Sequence, residues 1–297
     1  MGIKSIFTTK YGEWCVFYKK QGTDWVELKG KKGYWYADPI LFKYKDQVYL
    51  FTEAFQNNRQ IGRLAVSKYI NGTFTEPKEV IRRPYHLSYP CVFEYKDTVY
   101  MIPESSQNHT LEIYKALDES LENWGFEKEI LKDIQCVDTT VFEYRSIIYL
   151  ITYIEKNPNY ITKVYTFDMN KLDVNEVYSI SKNENTCRPA GKIIEKGGTF
   201  FRPVQYNINT YGEKIRLLEI NPAKNDWMGR VKCECTVNSF GVNDMLKTHT
   251  YSQVQEISAI DALHEYVTLL SPYYVLRRKC HNFYYKIKII IRKKIRK

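Results

Sequence analysis

Four times in this chain, at intervals of about fifty residues, a short polar motif runs into a Tyr- and Phe-rich strand pair. The copies begin at Ala37-Asp38-Pro39, Ser88-Tyr89-Pro90, Val137-Asp138-Thr139 and Arg188-Pro189-Ala190-Gly191. Steps of 51, 49 and 50 residues separate Pro39, Pro90, Thr139 and Pro189. A unit of that length is too long for one hairpin and too short for a domain, and it matches one four-stranded propeller blade. Each copy has the order strand, tight turn, strand, longer loop, strand. In the first copy Pro39–Tyr44 is predicted to turn at Lys45-Asp46-Gln47 into Val48–Glu53, with Gly62–Ser67 as the third strand.

Four copies leave a fifth unit to be found. Thr248-His249-Thr250-Tyr251-Ser252 precedes Val254–Ile260 and Asp261-Ala262-Leu263, which are read as part of that unit. Strands near the N-terminus, Glu13–Tyr18 and Trp25–Leu28, are expected to complete that last blade. Closing a ring in this way removes the exposed sheet edge. The expected fold is therefore all-β, a five-bladed propeller over residues 1–270 with a basic amphipathic tail over residues 271–297. A two-sheet sandwich has a similar strand count but no reason to repeat a polar motif every fifty residues.

Charge is concentrated in the tail. Ten Lys or Arg and no acid lie between Arg277 and Lys297, which accounts for the whole formal charge of +10. The preceding chain is neutral and offers no basic excess to follow a phosphate backbone, so no nucleic-acid partner is expected. Ser271-Pro272 is a helix-start signal, and Phe283, Tyr284, Ile287, Ile290, Ile291 and Ile295 recur at helical spacing among the cations. This pattern reads as a helix lying on an anionic membrane surface, with a disordered solubilising tail as the alternative. The start of the chain has no signal-peptide core, and the seven Cys have no disulfide framework spacing, so a cytoplasmic protein, peripheral at the inner face of the membrane, is expected. Cys233-Glu-Cys235 lacks the further ligands of a zinc site; no metal and no cofactor are expected.

Repetition around an axis gathers the polar motifs into one pocket. The candidate residues at blade starts are Asp38, Ser88 and Tyr89 with His86, Asp138 and Arg188. Those at the ends of second strands are Glu53, Glu104, and Arg202 with Gln205. Trp35, Tyr211, His249 and Tyr251 join them as binding groups. A funnel of carboxylates, cations and aromatic faces suits a sugar, which needs directional hydrogen bonds and flat apolar contact. Paired carboxylates are also the minimum equipment for glycosyl chemistry. Each residue has a plainer reading. Arg188 and Arg202 are suited to ion networks with Asp38, Glu53 or Glu104, and His249 to a cap or core position.

The ordered segments HLSYP (86–90), MIPESS (101–106), DTTVFEY (138–144), CRPAG (187–191), FRPVQYNINTYG (201–212) and THTYS (248–252) resemble a known propeller family. It is the family of the N-terminal domain of plant glucosamine inositolphosphorylceramide transferases, also found in bacterial proteins of surface-polysaccharide gene clusters. Its fold is similar to that of five-bladed arabinanase and fructosidase glycoside hydrolases, whose first-blade acid motif YWYADP (34–39) resembles. The resemblance implies a carbohydrate-active protein of surface polysaccharide or glycolipid biosynthesis. The implied activity is that of a glycosyltransferase or related sugar-modifying transferase acting on a nucleotide-sugar or lipid-linked glycan. A non-catalytic glycan-binding propeller and a glycoside hydrolase are the alternatives.

In the hydrolases a first-blade Asp, a later-blade Asp and a Glu act together. Asp38 and Asp138 match the first two. Arg202 stands where the third acid is expected, and Glu104 is the nearest substitute. That departure argues against ordinary hydrolysis and for an anionic sugar held by Arg188, Arg202 and His249. Asp38 would then serve as base or nucleophile, with Asp138 and Glu104 orienting hydroxyls or protons.

Overall fold

The computed structural model describes residues 10–156, 159–182, 184–242, 244–267 and 271–295. Among them, five antiparallel sheets form a five-bladed β-propeller. Blade I comprises Tyr34–Tyr44, Gln47–Gln56 and Ile61–Ile70, the last paired by the short strands Thr73–Phe74 and Lys78–Ile81. Blade II comprises Ser88–Tyr95, Thr98–Ser105, Thr110–Ala116 and Trp124–Lys132; blade III comprises Val137–Tyr144, Ile147–Lys156, Asn159–Asp168 and Asp173–Lys182. In blade IV, Arg188–Pro189 and Ile194–Lys196 both pair with Thr199–Tyr206, followed by Lys214–Asn221 and Asp226–Cys235.

Blade V joins the two ends of the propeller. Its order is Tyr251–Val254, Ile257–Tyr266, Tyr11–Lys20 and Val26–Glu27. Tyr11–Lys20 pairs with Ile257–Tyr266 in unbroken register, from Tyr11 opposite Tyr266 to Lys20 opposite Ile257. The closure expected from the N-terminal strands is present. Within that unit the segment Val254–Ile260 contains a turn, because Gln255 takes a φ of 51° and reverses the chain between Val254 and Ile257.

Sequence chemistry explains the local geometry. The inner hairpins of blades II, III and IV turn on residue pairs with both φ values positive: Lys96-Asp97, Arg145-Ser146 and Gly197-Gly198. This is the two-residue turn whose twist matches that of the flanking strands. Strands near the axis are covered on both faces by neighbouring sheets, so Val48–Phe55 is buried throughout, its polar Thr52 and Glu53 included. The outer strand Asp173–Lys182 is largely solvated and carries the polar residues. Trp227 shows how blades adhere: it is 1% exposed and packs against Phe142 and Tyr149 of blade III. Burial of a side chain that size contributes about 1.5–3 kcal/mol.

Asp38, Tyr89 and Asp138 occupy one equivalent point in three blades. The ladder slips there in each first strand, between Ala37 and Ile40, Ser88 and Cys91, and Val137 and Thr140. All three residues adopt left-handed backbone, with φ of 51°, 44° and 47°. Non-glycine residues held there cost roughly 1–3 kcal/mol each and need compensating contacts.

The helix Ser271–Ile295 follows the propeller. Its first turns lie against the closing strand, where the Tyr274 ring is 5.0 Å from that of Tyr11. Among the described residues no helix is long and apolar enough to cross a membrane. The side chains of Ile290, Ile291 and Ile295, and residues 1–9, lie outside what the structure describes.

Candidate functional site

A bulge turns one backbone N–H out of the ladder, and that donor needs an acceptor. In three successive blades the acceptor is a carboxylate of the preceding blade. Asp38 N donates to Asp261 Oδ2 of blade V at 3.1 Å, and Tyr89 N to Asp38 Oδ2 of blade I at 3.0 Å. Asp138 N donates to Glu104 Oε2 of blade II at 3.2 Å. The recurring acids thus begin as inter-blade ties.

His249 stands between two of these acids. Its Nε2 is 3.0 Å from Asp38 Oδ1 and its Nδ1 is 3.2 Å from Asp261 Oδ2, the second a contact of charge without aligned hydrogen-bond geometry. Thr250 Oγ1 also donates to Asp38 Oδ1, while the N–H groups of His249 and Thr250 both reach Asp261 Oδ1. Burial alone would lower the imidazole pKa, but Asp261 and Asp38 override it and raise it to about 10. For Asp38 burial pushes upward, and His249, the Tyr89 N–H and Arg188 together hold it below its ordinary value. At neutral pH His249 is therefore an imidazolium facing both Asp38 and Asp261. Their ligand-type atoms lie within 4.8 Å of one another, as a cation site requires. Every carboxylate oxygen already faces an N–H, an O–H or the imidazolium, which suits a proton-filled triad rather than a metal site.

A second cluster links blades II, III and IV. Asp138 Oδ2 accepts from Arg188 Nε at 2.5 Å and from Gln205 Nε2 at 2.9 Å. Arg188 also lies 3.8 Å from Glu104 Oε2, whose other oxygen accepts from Ser106 Oγ at 2.6 Å. Burial raises the Asp138 pKa well above the usual carboxylate range; Glu104 and Asp38 add to the rise, and Arg188 opposes it. Glu53 is pushed up strongly as well, by burial first and then by the charges of Asp38, Glu104 and Asp138. It sits 3.3 Å from His86 Nε2, and Gly62 N donates to His86 Nδ1, which leaves Nε2 as the protonated nitrogen facing Glu53. Burial thus pushes Glu53 and Asp138 towards the protonated form, while the partners of Asp38 hold it towards the ionised one.

Beside these buried groups lies a cavity of about 520 Å³. Trp14, Trp35, Phe55 and Tyr211 supply aromatic faces, and His86, Gln107, Lys247 and Arg278 supply polar ones. Trp35 stacks on Phe55 with centroids 4.2 Å apart and interplanar angle 10°, and its indole N–H is buried without a hydrogen-bond partner. Trp14 and Tyr211 pack on the His249 ring at 4.2 and 5.1 Å, and the Arg188 guanidinium lies 5.3 Å from the centre of the Tyr211 ring. Cavity wall and buried charges are thus in direct contact.

Of the residues expected from sequence, Trp35, His86 and Tyr211 line the cavity. Asp38, Glu53, Glu104, Asp138, Arg188, Gln205 and His249 form the charged and polar layer next to it. Three expectations are corrected and a fourth is refined. Arg202 is 1% exposed and donates to the backbone carbonyls of Trp227 and Cys187; Gln205, three residues on, faces Asp138, so strand alternation sends Arg202 to the other face. Tyr89 is fully buried, and its hydroxyl bonds to Thr140 Oγ1 and Gly191 N, tying blade II to blades III and IV instead of meeting a ligand. Tyr251 stacks on Phe240 and bonds Gln253, with its backbone N–H on Ala190 O. Ser88 is buried opposite Glu104 in the ladder. Trp14, Phe55, Gln107, Lys247, Asp261 and Arg278 were not singled out from the sequence.

The class defined by this architecture is the five-bladed propeller built around an axial pocket. Similar solved structures include an α-L-arabinofuranosidase from Clostridium thermocellum, at 12% identity and TM-score 0.56, covering 74% of this chain and 78% of that one. An α-L-arabinofuranosidase from Podospora anserina matches at 11% identity and TM-score 0.55, over 77% and 90% of the two chains. Likeness at that identity concerns the fold. Sequence comparison goes further: the chain belongs to the family described as glucosamine inositolphosphorylceramide transferase 1, N-terminal, whose pattern matches residues 14–245. Curated relatives named glucosamine inositolphosphorylceramide transferase 1 include those of Arabidopsis thaliana, 30% identical over 197 residues, and Oryza sativa subsp. indica, 27% identical over 194. Each alignment covers 62% of this chain but only 25% and 26% of the relatives, so the chain spans about a quarter of their length.

Proposed function

We propose that this chain is a carbohydrate-active protein of surface-polysaccharide or glycolipid biosynthesis whose axial pocket takes a sugar and takes part in its transfer. One observation carries the reading: four aromatic side chains and a set of hydrogen-bonding groups converge on one cavity beside carboxyl groups whose pKa values are pushed in opposite directions. Carboxylates whose environments push their pKa values apart are the mark of acid/base assignments. Glu53, pushed towards its protonated form, stands behind the cavity wall 3.3 Å from the lining residue His86, and its carboxyl is the group we assign to give a proton to a leaving oxygen, with His86 holding that carboxyl in position. The family relationship supports a role in glycosyl transfer.

A second reading, a glycan-binding propeller without turnover, is favoured by Asp38. Both of its oxygens are engaged by His249, Thr250 and Tyr89, which leaves neither open as a nucleophile. Glu53→Gln separates the two. Under the transfer reading it lowers turnover by about 10²–10⁴-fold while sugar affinity is retained. Wild-type protein that binds sugar tightly but shows no turnover with any nucleotide-sugar or lipid-linked donor supports the binding module.

In the same reading the protein is cytoplasmic and peripheral at the inner face of the membrane. The helix carries exposed Leu276, Phe283 and Ile287 among the ten cations of residues 277–297. Vesicles containing phosphatidylserine should sediment the protein at low salt, and neutral vesicles should not. Equal sedimentation with both contradicts this placement.

A further inference from the structure

Among the described residues, two cations of the cavity wall have neutral hydrogen-bond partners and no acid. Arg278 donates to Tyr11 Oη at 3.1 Å and Gln60 Oε1 at 3.4 Å, with its guanidinium 4.8 Å from the centre of the Tyr11 ring and 6.0 Å from that of Phe55. Lys247 Nζ donates to Thr210 Oγ1 at 2.6 Å. Among the described residues, no carboxylate forms an ion pair with either. The other charges nearby are matched: Arg188 meets Asp138 and Glu104, and Glu265, the acid of this wall, meets Lys10 at 3.5 Å. The wall therefore presents unmatched positive charge beside the aromatic faces. Stacking and two neutral acceptors hold the Arg278 fork in place, and a preorganised guanidinium binds planar anions in bidentate fashion.

We propose that Arg278 and Lys247 bind an anionic group, a carboxylate or a phosphate, carried by the sugar in this pocket. This rests on the sugar-pocket reading above and moves anion recognition from Arg188 and Arg202 to residues outside the repeat. Because Arg278 belongs to Ser271–Ile295, the C-terminal helix is a wall of the binding site. Ligand binding and helix seating must then stabilise each other by linkage.

The test is calorimetric titration of the full chain with D-glucuronate, glucose 1-phosphate and neutral D-glucose. At least one anionic probe is expected to bind about tenfold or more tightly than glucose, and its identity distinguishes carboxylate from phosphate. Arg278→Gln and Lys247→Gln each cost the anionic probe about tenfold more affinity than they cost glucose, so the preference disappears, while Arg278→Lys restores part of it. The anionic probe also slows tryptic cleavage at residues 277–279 in the wild type. Thermal melting checks that the variants remain folded. Anionic probes that bind no better than glucose, or a preference that survives Arg278→Gln, overturn the inference and leave the sugar pocket standing. Equal loss of all three affinities in Arg278→Gln also overturns it, because it assigns Arg278 to helix anchoring alone. Failure of all three probes to bind wild-type protein overturns the sugar-pocket reading together with the inference.

Discussion

His249 Nε2 lies 3.0 Å from Asp38 Oδ1, and this contact joins the last blade of the ring to the first. The imidazole also faces Asp261, so one proton holds two buried carboxylates that each cap a bulge N–H. A residue of the recognition motif THTYS thereby acts as a clasp for ring closure.

Removing the clasp should be costly. His249→Ala leaves Asp38 and Asp261 without their cation, and breaking a buried ion pair costs about 3–5 kcal/mol. Urea unfolding measures it. A loss below about 1 kcal/mol would mean that the triad is not ionised.

The pH dependence follows from the raised imidazole pKa. A group whose folded pKa exceeds its unfolded value contributes stability that is complete below the unfolded value and is lost as pH rises through the folded one. For His249 the window runs from its ordinary 6.5 to about 10. Glu53, also raised, acts in the same sense, whereas depressed Asp38 contributes stability that is lost as pH falls through its folded value. Wild-type stability should therefore decline on the alkaline side, and His249→Gln should flatten that decline. Parallel slopes for both proteins, measured by unfolding at stepped pH, count against the assignment.

Gly62 illustrates a constraint of space. A Cβ there would lie 2.5 Å from Glu53 Oε1, 2.5 Å from Leu87 O and 2.7 Å from His86 Cε1. Gly62→Ala is expected to destabilise the protein by about 1–3 kcal/mol and to weaken sugar binding by displacing His86. Unchanged melting and binding would show that Glu53 and His86 are less closely held than described.

Arg202 separates structure from recognition. Its guanidinium bonds two backbone carbonyls inside blade IV, so Arg202→Met is expected to lower stability while a folded fraction retains full sugar affinity. Selective loss of affinity at unchanged stability returns Arg202 to the site.

How far the sequence reaches depends on whether a residue belongs to the repeat. The fifty-residue period reveals the blades, and Asp38 and Asp138 stand out because a polar motif recurs at the same point of each copy. Tyr89 occupies that same bulge point, yet a left-handed residue at a ladder slip is invisible in composition, and its ring was expected to meet a ligand. Arg202 was misplaced because a strand's end does not reveal which face a side chain takes. Trp14 and Asp261 sit in blade V, assembled from two distant segments without a repeat copy to align. Arg278 reaches the cavity only because the helix folds back on Tyr11, a tertiary contact that an amphipathic pattern does not encode.

The most direct test of the account is a co-crystal structure with a sugar that binds in titration. The account predicts a pyranose or furanose ring in the cavity, in contact with Trp35 or Tyr211, with hydrogen bonds to His86 or Gln107. Sugar bound elsewhere on the propeller, with this cavity empty at saturating ligand, would contradict it.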